Sequence, residues 1–303
     1  MAEDSAAVDL VSFCASCGIA EVDDIELSEC KSCDLVRYCS DECQREHKSK
    51  HEEAYKKRAA ELRDELLFKQ PESTHRGDCP ICMIPLELDT TKSTVMSCCS
   101  KIICDGCAYA NRIREKEASL IPSCPFCREP RPNTDEECNK RNMKRVEAGD
   151  PVAICQEGFE QCNKGDYISA FEYWSKAIEM GDVEAHFKLA LLYHHGEGVE
   201  RDLGKEIYHM EEAAIGGHPE ARYNLGSEEW KNGNTERAVK HFIIAAKQGE
   251  DDSIKILLDV FKAGFVSKED LADALRAHQA AVDATKSPQR EEAHRFFNAE
   301  QMA

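Results

Sequence analysis

Gly181-Asp-Val-Glu-Ala185-His-Phe-Lys-Leu189-Ala190-Leu-Leu-Tyr193-His-His-Gly196-Glu-Gly198-Val199-Glu-Arg-Asp202 is the stretch on which the fold turns. It reads as a helix opening just after an aspartate, a short glycine-marked loop, and the start of a second helix. That second helix carries the small residues Ala213-Ala214-x-Gly216. Working outward, Ala153, Ala221 and Ser253 occupy the place of Ala185, at steps of 32, 36 and 32 residues. Gly149, Gly181, Gly217 and Gly249 keep the same steps as punctuation between helix pairs. Small residues at the crossings let helices approach, while Leu189, Tyr193, Leu225, Ile256 and Phe261 fill the layers between them. One such unit cannot bury its apolar face alone, so three or more must stack. The pattern predicts an all-α helical-repeat solenoid over 150–285. Ser267-Lys-Glu-Asp270 is a capping box opening its last long helix, and 286–303 is left as a C-terminal tail.

The unit Ala185 to Tyr193, followed by Gly196-Glu-Gly198-Val199 and Ala213-Ala214-x-Gly216, resembles a Sel1-like repeat, a relative of tetratricopeptide repeats. The two 32-residue units lack the four loop residues that carry Gly-x-Gly-Val and look more like plain tetratricopeptide units. The resemblance implies a concave surface that receives a protein target. No catalytic constellation stands out in this half. Cys155 and Cys162 read as small core residues. His194 and His195 read as helix-end groups, and Trp174 and Trp230 as core or interface fillers.

The chain has 303 residues, with 39 basic against 58 acidic side chains and a formal charge of −19. Such a balance argues against a protein that grips nucleic acid by its phosphates. The acidic start, MAEDSAAVDLVSF, has no secretory pattern, and no stretch approaches the roughly 18 apolar residues of a membrane helix. An intracellular protein, cytoplasmic or nuclear, with neither membrane nor nucleic acid as partner, is expected. Of 17 cysteines, 14 lie in the first 127 residues, in close pairs. In a reducing compartment paired thiols serve as metal ligands, so small zinc-stabilised α+β modules should precede the solenoid.

The first cluster comprises Cys14-x2-Cys17, Cys30-x2-Cys33, Cys39-x3-Cys43 and His47-x3-His51. Eight ligands make two tetrahedral sites, and zinc binding supplies folding energy that so short a segment lacks. Cys30-Lys-Ser-Cys33 with Val36-Arg-Tyr-Cys39-Ser-x-x-Cys43-Gln44 resembles a MYND finger over 14–55. The resemblance implies interleaved sites, with Cys14, Cys17, Cys39 and Cys43 on one ion and Cys30, Cys33 and His51 on another. Spacing alone also permits sequential pairing. The family's last cysteine is replaced by Tyr55. His47, one helical turn from His51, is the expected substitute, with water the alternative. MYND fingers bind short proline-containing peptides, so a peptide-motif partner is implied. A helical linker over 56–75, part of a helix expected from Gln44 to Gln70, follows as spacer or packed helix.

The second cluster comprises Cys79-x2-Cys82, Cys98-Cys99, Cys104-x2-Cys107 and Cys124-x2-Cys127. Cys79-Pro-Ile-Cys82 and Cys124-Pro-Phe-Cys127-Arg128 resemble the two ends of a RING finger in its all-cysteine variant, over 79–128. The resemblance implies that Cys79, Cys82, Cys104 and Cys107 hold one zinc and Cys98, Cys99, Cys124 and Cys127 another. It also gives Ile81, Pro125 and Arg128 a role in docking a ubiquitin-conjugating enzyme (an E2), with catalysis by positioning. Asn111 stands where many ligases carry Trp, and the two middle cysteines are adjacent; both depart from the pattern. Four zinc ions are expected in all, with a linker over 129–149 joining finger and solenoid. The favoured function is a ubiquitin ligase whose MYND finger and solenoid recruit targets. The alternative is a non-catalytic scaffold built from the same modules.

Overall fold

A computed structural model describes residues 14–19, 26–29, 36–48 and 52–301. They fall into two compact units, 1–69 and 70–303. The first unit contains a two-stranded antiparallel ribbon, β1 (Ser28–Glu29) and β2 (Arg37–Tyr38), then α1 (Asp41–Lys48) and α2 (Glu52–Leu67). Its small core gathers Cys14, Leu27 and Tyr38, with Val36, Cys39 and Cys43 against them. The helix expected from Gln44 to Gln70 is thus carried by two elements, and it ends at Leu67, before Pro71 is reached.

The second unit opens with a cysteine-rich module. Here β3 (Ser93–Val95) pairs antiparallel with β4 (Ile102–Cys104), which runs directly into α3 (Asp105–Glu117). Ten helices follow: α4 (Asp135–Glu147), α5 (Pro151–Asn163), α6 (Tyr167–Ile178), α7 (Val183–His195), α8 (Leu203–Ile215), α9 (Pro219–Lys231), α10 (Thr235–Lys247), α11 (Asp251–Lys262), α12 (Lys268–Ala284) and α13 (Pro288–Gln301).

The repeat period reappears as a capping period. Asp150, Asp182, His218 and Glu250 each accept a backbone N–H from the first turn of α5, α7, α9 and α11. Each occupied cap satisfies a donor that a helix start leaves orphaned. Ala153, Ala185, Ala221 and Ser253, three residues on from these caps, are all 0% exposed, as crossing points require. Ser267 accepts from Asp270 N at 3.0 Å, closing the box that opens α12. Trp174 is buried and donates its Nε1–H to Cys155 O at 3.2 Å. Trp230 is different: it is exposed, edge-on to Phe265.

Three expectations need correction. The 129–149 linker is mostly helix, because Thr134 caps α4 and three acidic residues fill its first turn. Val146 then joins the core of the first repeat, so α4 covers the solenoid's open end. The tail over 286–303 is the helix α13, which packs on α3 of the cysteine-rich module. His194 is paired with a side chain, its Nδ1 lying 2.8 Å from Glu206 Oε1 on α8.

Candidate metal centres

Each centre starts from a tight backbone turn that aims two sulfurs at one point. In the first, Gly18 N donates to Cys14 O and Cys14 N to Ile19 O, folding Cys14 and Cys17 around one knuckle. Cys39 follows β2 and Cys43 sits in the first turn of α1. Cys17 and Cys39 Sγ are 3.5 Å apart, Cys39 and Cys43 Sγ 3.6 Å, and all four sulfurs lie within 4.8 Å of one another. Cys14 and Cys17 therefore join Cys39 and Cys43, which is the interleaved arrangement that spacing alone left open.

In the second centre Met83 N donates to Cys79 O, with Met83 at a φ of 55°. Cys104 is the N-cap of α3 and Cys107 lies in its first turn, where the helix dipole favours a thiolate. Cys82 and Cys104 Sγ are 3.8 Å apart. The third centre uses two turns. Cys99 N and Ser100 N both donate to Met96 O, with Ser100 at a φ of 55°, and this bend brings the adjacent Cys98 and Cys99 to one site. Arg128 N donates to Cys124 O to shape the other turn. Cys98–Cys127 and Cys99–Cys124 Sγ separations are 3.4 and 3.9 Å.

These distances suit a tetrahedral metal ion. Four sulfurs at the usual ~2.3 Å from a tetrahedral zinc are about 3.8 Å from each other. A disulfide would bring two of them to ~2.05 Å, and all fifteen cysteines in the described residues are free. The thiol electrostatics agree. Burial opposes ionisation of Cys14, but backbone N–H groups of Cys17, Cys39 and Ser16 bring it down to about 6. Hydrogen bonding with Cys17 and Cys43 pushes Cys39 up to about 12. The second centre repeats the pattern, Cys79 lowered by Cys104 and Cys107 while Cys107 is raised. In the third, Cys99 is pushed up to about 11, chiefly by burial. Four crowded sulfurs cannot all ionise against one another; a divalent cation at their centre removes the conflict.

The fourth expected site, Cys30, Cys33, His47 and His51, falls mostly outside the described residues; only His47 is described. Its Nδ1 lies 3.2 Å from the hydroxyl of the buried Tyr38.

Around the second and third centres the expected docking residues have different fates. Ile81 is at the surface, 41% exposed, and Phe126 beside the third centre is 43% exposed. Pro125 is buried. Arg128, at a φ of 66°, donates to Asn111 Oδ1 at 2.8 Å. Asn111 is buried and donates to Glu115 Oε1 and Ser123 O. The same Glu115 oxygen also accepts from Ser123 N and Oγ. Asn111 thus anchors a polar cluster that tethers the exposed Arg128 by one hydrogen bond.

Sequence reading missed one further cluster, His75, Glu184 and His218. His75 Nε2 and His218 Nε2 reach Glu184 Oε2 at 3.0 and 3.3 Å. It is a clasp rather than a metal centre. The two imidazoles stack 4.1 Å apart with planes 4° from parallel. A ligated metal must lie near the plane of each ring, and two stacked, nearly parallel planes do not meet within ligand distance. His218 Nδ1 also accepts Ala221 N–H, which leaves its proton on Nε2 to donate to Glu184. Burial pushes His218 down to about 4 and keeps it neutral. The clasp, with His75 N donating to Gly217 O, seats the cysteine-rich module along the N-terminal ends of α7 and α9. No local signal could have found it, since its partners are 109 residues apart.

Comparison with known proteins agrees with this anatomy. Residues 14–54 match the MYND finger model, and 153–182, 183–218 and 219–250 match the Sel1 repeat model. The DAP3-binding cell death enhancer 1 of Mus musculus is 28% identical over 47% of this chain and 36% of its own length. Its Rattus norvegicus counterpart is 26% identical with the same coverage. The chain therefore spans 36% of the length of these curated relatives. Among solved structures, a Sel1 repeat protein from Oxalobacter formigenes aligns with 65% of this chain and 86% of its own, at 20% identity and a TM-score of 0.43. The protective antigen c5321 of uropathogenic Escherichia coli, with an SLR fold, aligns with 58% and 37%, at 19% identity and a TM-score of 0.41. The chain carries a MYND zinc finger and three Sel1 repeats, joined by a cysteine-rich module whose eight sulfurs form two further tetrads.

Proposed function

We propose that the protein is a zinc-stabilised scaffold that brings protein partners together through its MYND finger and its solenoid. The observation that carries this reading is the use made of the cysteines. In three clusters they form tetrads at zinc spacing, which supports a role as structural ligands rather than nucleophiles. The MYND finger would take a short peptide and the solenoid a folded target. The curated relatives support a protein target, since their name describes binding to DAP3. The decisive experiment immobilises the zinc-loaded chain and measures capture of defined proline-containing peptides, before and after zinc removal by a chelator. Capture that survives loss of all zinc would refute a metal-organised peptide site.

A second reading, ubiquitin ligation through the RING-like module, is favoured by the exposure of Ile81 and of Phe126. Against it stand the burial of Pro125 and the engagement of Arg128 by Asn111. Autoubiquitination with a panel of purified conjugating enzymes separates the two readings. Chains that disappear in Ile81→Ala and Arg128→Ala would install the ligase; none with any enzyme leaves the scaffold.

A further inference from the structure

The C-terminal helix α13 reaches the second metal centre through one residue. Arg290 is 6% exposed. Its Nη1 donates to Pro85 O and Thr285 O at 2.6 and 2.8 Å, and its Nη2 to Ile84 O at 3.0 Å and Cys82 Sγ at 3.5 Å. Its Nε is buried with no partner. Among the described residues no carboxylate reaches ion-pair distance of this guanidinium. Carbonyls solvate a cation but do not neutralise it, and a buried charge needs a counter-charge.

The tetrad beside it provides one. Four thiolates around a divalent zinc leave a formal charge of about −2. We propose that Arg290 is the counter-cation of the Cys79/Cys82/Cys104/Cys107 zinc centre, so that retention of this ion and docking of α13 are linked. The inference rests on reading this tetrad as a zinc site. A second feature fits the arrangement. Gly106, between the ligands Cys104 and Cys107, admits α13 at close range. A Cβ there would stand 2.8 Å from Arg290 Cγ and 3.0 Å from its backbone N. Further along, Tyr109 packs on Phe296 and Arg112 lies over the Phe296 ring, so contacts independent of the zinc charge hold the rest of the helix. Linkage is reciprocal: what stabilises the ion stabilises the helix, and loss of the ion strands the cation.

The test measures zinc release from the full chain to a colorimetric chelator, with limited proteolysis of the C-terminus in parallel. Cys107→Ser identifies the ion of this centre by its loss. Removing an outer-sphere partner typically weakens a metal site 10–100-fold, so R290Q should release that one ion at least about tenfold faster, the others unchanged. R290K should restore much of the retention, because it returns the charge without the guanidinium's geometry. Gly106→Ala, which favours the helix locally but displaces Arg290, should labilise the same ion. In the wild type, stripping this zinc should expose α13 to the protease. Unchanged release in R290Q, or equal loss in R290Q and R290K, would overturn the proposal. If R290Q releases every ion together, Gly106→Ala decides: a labile single ion supports the linkage and normal retention overturns it. Should Cys107→Ser remove no ion, the zinc reading of the tetrad falls, and this inference with it.

Discussion

Gly158 stands inside α5, where glycine is among the poorest residues for a helix, and replacing it with alanine would ordinarily stabilise by about 1 kcal/mol. The structure reverses that expectation. An alanine Cβ at 158 would lie 2.4 Å from Trp174 Nε1 and 2.6 Å from its Cδ1. Trp174 cannot yield cheaply, being 2% exposed and edge-on to Phe159. Overpacking of this kind costs about 1–3 kcal/mol. An indole pushed aside also loses its bond to Cys155 O, leaving a buried donor unsatisfied at about 1–3 kcal/mol more. Set against the helical gain, Gly158→Ala should destabilise the repeat unit by about 3 kcal/mol, lowering Tm by roughly 6–12 °C. Gly204→Ala is the matched control. It lies in the first turn of α8, exposed, and its Cβ would meet only Asp202 Oδ1 at 3.4 Å. That change should be neutral or stabilising by a few tenths of a kcal/mol. Thermal unfolding by far-ultraviolet circular dichroism, with tryptophan fluorescence as a second probe, measures both. A Gly158→Ala protein as stable as Gly204→Ala would refute the packing argument.

Further outcomes are expected elsewhere. Zinc analysis after mild chelation should find one ion fewer in each of Cys14→Ser, Cys79→Ser and Cys99→Ser. In the MYND finger, His47→Ala should also remove one if His47 completes the site with Cys30, Cys33 and His51; an unchanged count would exclude it. Aspartate caps the two preceding repeats, so the repeat pattern suggests that His218→Asp would be benign. Glu184, 3.3 Å away, would then face a second buried carboxylate, and a loss of about 1–3 kcal/mol should appear in denaturant titration. Because the folded protein holds His218 near 4, below the usual 6.5, the unfolded chain binds the proton more readily. Stability from this residue is therefore complete above pH ~6.5 and lost as pH falls toward 4, by of order 3 kcal/mol. Acid titration of His218→Asn should show a shallower decline over that window. Asn111→Ala should release Arg128 from Asn111 Oδ1, and proton chemical-shift changes at the Arg128 guanidinium would report it.

The tight register of caps and small residues explains why the solenoid was legible. Ala153, Ala185, Ala221 and Ser253 recur because each repeat must solve one local problem, close helix crossing, with one residue type. The zinc knuckles were legible for a similar reason: Cys-x2-Cys turns are local, and their ligand chemistry is written in adjacent residues. The spacing of the first cluster could not choose between sequential and interleaved sites, since both satisfy zinc's four ligands. Only the folding of β2 and α1 against the Cys14 knuckle decided it. The adjacent Cys98 and Cys99 departed from the RING pattern, yet the bend at Ser100 brings both sulfurs to one tetrad.

What the sequence by itself determined is therefore the part of the protein governed by short-range chemistry. This comprises the helix-repeat period, the caps, the thiol pairs and the MYND and Sel1 motifs. Tertiary structure alone decided what depends on residues far apart in the chain. It brought His75 to Glu184 and His218, turned Asn111 inward to hold Arg128, and made α13 a helix docked on the cysteine-rich module. A buried Arg290 reads in sequence like any surface arginine, because burial and counter-charge belong to neighbours more than 200 residues away. Electrostatic partners and packing clashes act through space, and their energies are fixed only once the chain has brought those groups together.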